Sequence, residues 1–86
     1  MNLEEIRKKV DIIDEDIVRL IAERMSYVSR IKEYKNKNNL PIYDAKREAD
    51  ILDSKKIIAK ELGVDSELVE KVFSAIMEVS RKAQEK

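Results

Sequence analysis

The sequence predicts an all-α protein of three helices, one long and two shorter, doubled in a dimer. Three observations carry that expectation. Helix breakers are nearly absent: the 86 residues hold one glycine, Gly63, and one proline, Pro41, while 42% of residues are charged. Apolar or aromatic residues recur in steps of three and four through the first third, at Leu3, Ile6, Val10, Ile13, Ile17, Leu20, Tyr27, Ile31 and Tyr34. That is the 3.5-residue period of a helical seam. The stretch that carries this seam is also too long for a small globule, as its length shows.

The first helix is expected from about Asn2 to about Lys37, with no internal breaker. At 1.5 Å per residue it is ~50 Å long, whereas a compact globule of this size is only ~25–30 Å wide. Such a helix protrudes or packs along another chain. The Asn-rich stretch Asn36–Asp44 ends it, and Pro41 forbids its continuation. Asp44 is the expected N-cap of a second helix over about Ala45–Leu62. Gly63 fits the left-handed position that closes it. Asp65 then caps a third helix that continues to about Gln84, with Val64 and Val69 spaced as a hydrophobic staple. There is no internal repeat, and residues 1–86 read as one domain.

Composition narrows the function. Basic and acidic residues balance at 18 each, which argues against a nucleic-acid partner. Cysteine and histidine are both absent, so there is no disulfide, no thiolate metal site and no imidazole base or zinc ligand. A monomer this small buries only ~60–65% of its unfolded surface, and oligomerisation is the remaining way to enlarge its core. No run of 18 apolar residues is present, so no membrane partner is expected. The opening Met-Asn-Leu-Glu-Glu has no secretory pattern. The expected location is cytoplasmic.

Four polar residues interrupt the apolar stripes. Arg24 continues the seam of the first helix, and its guanidinium cannot shed its charge. Glu48 extends the stripe of the second helix backwards by one turn. Ser80 and Gln84 continue the stripe Val69, Val72, Phe73, Ile76, Met77 of the third. Arg24 and Glu48 as a buried pair, with Ser80 and Gln84 satisfying leftover bonds, is one solution. Yet Glu48 is a single carboxylate among several cations. Arg47 adjoins it, Lys35 lies eleven residues beyond Arg24 on nearly the same helix face, and Arg7 flanks the seam. An anionic ligand is the other solution. Arg7 and Lys35 are 28 residues apart, or ~42 Å along one helix. If both bind one small ligand, one of them comes from a second protomer packed antiparallel along the first.

The chain resembles the small all-helical chorismate mutases over essentially its whole length. The resemblance rests on Arg7 in Ile-Arg-Lys-Lys-Val-Asp, Arg24 in Leu-Ile-Ala-Glu-Arg-Met, Lys35, Pro41, Asp44 with Arg47-Glu48, and then Phe73, Ser80 and Gln84. It implies an intertwined homodimeric six-helix bundle with two active sites shared between chains. It also implies the Claisen rearrangement of chorismate to prephenate, an isomerase of the shikimate pathway to phenylalanine and tyrosine, working with no metal and no organic cofactor. By the same resemblance Arg24 and a partner-chain Arg7 hold the substrate's carboxylates, assisted by Ser80 and Arg47. Lys35 and Gln84 donate to the ether oxygen of the breaking bond. Glu48 and the turn at Asp44 receive the ring hydroxyl, while Ile31 and Met77 wall the ring. Arg81 departs from the resemblance, at a position often aliphatic in relatives. Two other functions share these features: an isochorismate-pyruvate lyase on the same fold, and a non-catalytic helical dimer that binds chorismate-like anions.

Overall fold

The structure, a computed structural model, describes residues 1–85. It holds three helices in chain order: α1 over Leu3–Lys37, α2 over Ala45–Leu62 and α3 over Ser66–Glu85. Their ends follow from local chemistry. Asn2 caps α1, its side-chain oxygen accepting from the Glu5 N–H at 2.9 Å. Asp44 does the same for the Arg47 N–H, and Asp65 for the Glu67 N–H, both at 2.9 Å. Glu4 and Glu5 in the first turn of α1, and Lys35 and Lys37 in its last, complement the helix dipole. Beyond α1 the chain turns through Asn39, which takes a left-handed φ of 54°. Asparagine tolerates that region better than other residues with a Cβ. At the end of α2, Gly63 adopts φ 69°, and the N–H of Val64 returns to the Ala59 carbonyl at 2.8 Å.

α3 joins the chain together. It packs on both α1 and α2, and α1 does not pack on α2. The buried apolar side chains are Val28, Ala59 and Met77. Only the C-terminal part of α1 takes part in this packing: residues 1–23 are all exposed. The chain measures 55 × 23 × 15 Å with a radius of gyration of 16.0 Å, against ~12 Å for a compact domain of this length. Its accessible surface of 7079 Å² exceeds the ~5,300 Å² typical of a monomer of this mass by ~1,800 Å². Much of the excess is apolar, since Leu3, Ile6, Val10, Ile13, Ile17 and Leu20 of the α1 seam all face solvent.

The packing refines the seam in one respect. Met25, Val28 and Lys32 form the covered face of α1, whereas Tyr27, Ile31 and Tyr34 stay exposed. At ~100° per residue, Val28 and Lys32 lie about 40–80° to one side of Arg24, and Ile31 and Tyr34 about 20–80° to the other. Arg24 and Lys35 therefore stand on the border between a face that meets α3 and a face that stays exposed. Among the described residues no helix is long and apolar enough to cross a membrane.

Candidate active site

A cavity of about 280 Å³ opens where the C-terminal half of α1, the start of α2 and the end of α3 converge. Its polar lining comprises Arg24 and Lys35 from α1, Asp44 at the α2 cap, Arg47 and Glu48 from the first turn of α2, and Ser80, Arg81 and Gln84 from α3. Val28, Ile31, Ile42, Ile51 and Met77 supply apolar walls. Seven of the eight site residues expected from sequence thus meet at one place, with Ile31 and Met77 beside them.

Arg24 comes from the border of α1 and reaches across to α3. Its Nη1 donates to Ser80 Oγ at 2.9 Å. The Ser80 hydroxyl donates in turn to the Ile76 carbonyl at 2.7 Å, one helical turn back. Ser80 is buried, so this hydroxyl fixes the guanidinium without neutralising it. The alternative pairing of Arg24 with Glu48 does not form. Glu48 is claimed from the other side by Arg81, whose Nη1 donates to both carboxylate oxygens at 2.9 and 3.0 Å.

Lys35 is half-buried, and its Nζ donates to the Ile42 carbonyl at 2.8 Å. This ties the end of α1 to the connection that follows and leaves two ammonium hydrogens for other acceptors. Gln84 is buried and donates one amide hydrogen to the Ser80 carbonyl at 3.3 Å. Its Oε1 is the one buried side-chain polar atom without a partner among the described residues. A buried acceptor left unpaired inside a cavity is costly, and only a hydrogen-bond donor would relieve it.

The electrostatics follow from these partners. Four cations line the cavity against two carboxylates, a net +2. Among the described residues Arg24, Lys35 and Arg47 have no carboxylate within ion-pair distance; the cavity's one salt bridge is Arg81 to Glu48. A small cavity holding three unneutralised cations is suited to a dianion.

Arg7 is the expected site residue that the fold does not bring here. It lies in a separate depression near the start of α1 with Leu3, Glu4, Lys8 and Asp11. Conversely, the ion pair of Arg81 with Glu48 is a feature that sequence reasoning missed. The only signal for it was a cation in place of an aliphatic residue near the cavity.

Comparison with known proteins points to one family. Residues 6–85 match the family model for chorismate mutase type II. A chorismate mutase of Methanocaldococcus jannaschii is 42% identical over 82 residues, covering 95% of this chain and 83% of the relative. A T-protein of Haemophilus influenzae is 31% identical over 91% of this chain, but the match spans only 21% of that protein. A bifunctional chorismate mutase/prephenate dehydratase of Aquifex aeolicus is 45% identical over 60 residues, 70% of this chain and 17% of its own length. The shared region in the longer relatives is thus a segment the size of this chain. With the family model matched from the seam of α1 to the end of α3, this chain belongs to the chorismate mutase type II family.

Proposed function

We propose that the chain rearranges chorismate to prephenate in the cavity between Arg24 and Gln84, and that Arg7 of a second copy completes each cavity. The observation that carries the site is the convergence of Arg24, Lys35 and Arg47, none paired with a carboxylate among the described residues, on one cavity with Glu48 and Gln84. Chorismate is a dianion, so fixed cations recognise it. Arg24, oriented by Ser80, grips one carboxylate with its planar fork, and Arg7 of the second copy grips the other; Arg47 adds charge at the rim.

The reaction is an isomerisation. The ether C–O bond breaks while a C–C bond forms between the enolpyruvyl methylene and the ring, and no nucleophile or proton transfer is needed. The chain's contribution is to hold the side chain over the ring and to stabilise charge that develops on the ether oxygen. Lys35 and Gln84 have spare N–H groups for that oxygen, and bonds that strengthen in the transition state lower the barrier. Glu48, with the turn at Asp44, accepts the ring hydroxyl. Ile31 and Met77 flank the ring.

The dimer is supported by two observations. The exposed α1 seam needs a partner. The ~1,800 Å² of surplus surface on each chain is ~3,600 Å² for a pair, within the range of obligate dimers. The lyase and the non-catalytic dimer are not favoured by the relatives, whose names include chorismate mutase.

Loss of chorismate absorbance with formation of prephenate tests the activity. Salicylate and pyruvate from isochorismate, with chorismate untouched, would sink it. Sedimentation equilibrium tests the assembly: a fully active species near the chain mass of 10.1 kDa would overturn the shared site.

A further inference from the structure

Arg81 stands outside the roles assigned above, yet it forms the shortest salt bridge among the described residues. One nitrogen, Nη1, bridges both oxygens of Glu48 at 2.9 and 3.0 Å. The guanidinium carbon sits 4.9 Å from the centroid of the Tyr43 ring. One side chain of α3 thus touches the first turn of α2 and the connection between α1 and α2. The pair is mostly shielded, with side-chain exposures of 31% and 23%. We propose that Arg81 is a positioning residue that holds the Glu48 carboxylate for the substrate's ring hydroxyl. This rests on the role given to Glu48 above.

The geometry supports the assignment in three ways. Each carboxylate oxygen has two acceptor sites. A single bridging nitrogen occupies one on each and leaves the others for a hydroxyl, so Arg81 and substrate do not compete. Glu48 is otherwise a flexible side chain facing a cavity with Arg24 and Arg47 on its walls. Unrestrained, it would be drawn to those guanidiniums and would cancel charge meant for the dianion. Finally, the Tyr43 ring gives the guanidinium a face to lie on, which fixes the plane from which Nη1 reaches Glu48.

An ammonium at the same place can supply the one charged donor that makes the bridge, but not the plane that the Tyr43 ring fixes. The test is a double-mutant cycle on the dimer with chorismate as substrate. Arg81→Leu should lower kcat/KM about tenfold, mainly through KM, as expected for loss of a charge-assisted contact. Arg81→Lys should fall between wild type and Arg81→Leu, since it keeps a charged donor and loses the stacked plane. Glu48→Gln should be slow by itself, and adding Arg81→Leu to it should cost less than about twofold more, since Arg81 acts through Glu48.

Equal losses from Arg81→Leu with and without Glu48→Gln, or wild-type kinetics in Arg81→Leu, overturn the proposal alone. Wild-type kinetics in Glu48→Gln remove the role of Glu48 and the proposal with it. If Arg81→Leu does not fold, as judged by helical circular dichroism and sedimentation, Tyr43→Leu carries the same cycle. It should cost about threefold when Glu48 is intact and nothing measurable when combined with Glu48→Gln; the same loss in both backgrounds overturns the proposal.

Discussion

Arg7→Ala and Arg24→Ala, each nearly inactive as a pure dimer, should regain activity when their chains are assembled together. The reasoning is geometric. Arg7 and Arg24 lie on one continuous helix, 17 residues apart, which is ~26 Å at 1.5 Å per residue. Lys35 is ~42 Å from Arg7 by the same measure. No small dianion spans either distance, so an Arg7 that acts must come from another chain. Each single variant should lose at least ~10²-fold in kcat/KM, the usual cost of a preorganised charge donor. In a mixed dimer one site lacks both arginines, and the other has both. Random assembly of equal amounts makes half the dimers mixed, each with one of its two sites intact, so activity should reach about one quarter of wild type. That is ~25 times the rate of either parent if each parent retains ~1%. The chains are unfolded together, refolded at equal concentration and assayed by initial loss of chorismate, beside each variant refolded alone. A mixture no faster than the average of its parents would refute the two-chain site.

Lys35→Ala should lower kcat by at least ~10²-fold with helical content unchanged; wild-type turnover would remove Lys35 from the chemistry. Wild-type activity should be flat through neutral pH, because the amide of Gln84 donates without titrating. Gln84→Glu places an ionisable acceptor at the same spot, which must be protonated to donate. Its activity should therefore be low at neutral pH and rise as pH falls; a flat profile in that variant would count against donation by Gln84. Gly63→Ala should cost ~1–2 kcal/mol in thermal or denaturant unfolding, for the left-handed φ of 69° alone. A Cβ there meets nothing within 4 Å in one chain, so a much larger loss would mean that a second copy packs against this turn.

The helix ends were legible because their causes are local. Asp44, Asp65 and Gly63 act on residues two to four positions away, and each cap forms as its spacing implies. The residues that line the cavity were legible for a related reason. Arg24, Glu48, Ser80 and Gln84 break apolar stripes, and a stripe faces the interior wherever its helix docks. The partner of Glu48 was not legible. Arg81 lies 33 residues away, and whether Glu48 meets Arg24 or Arg81 depends on the rotation of α3 about its axis. A hydrophobic period defines that rotation only to within a broad face.

The sequence by itself determined three helices, their caps, the polar positions on their inner stripes and a seam too long for one chain to cover. Tertiary structure decided which face of α1 each stripe serves. Met25 and Val28 turn towards α3, the Ile31–Tyr34 side remains open, and Arg24 and Lys35 stand between them. The physical reason is that backbone chemistry and periodicity act over one or two turns. The docking of helices is set by side-chain volumes and charges brought together from distant parts of the chain. Arg24 is the residue on which both levels meet: sequence marks it as a charge out of place, and the packed helices give it Ser80 to orient it and no carboxylate to quench it among the described residues.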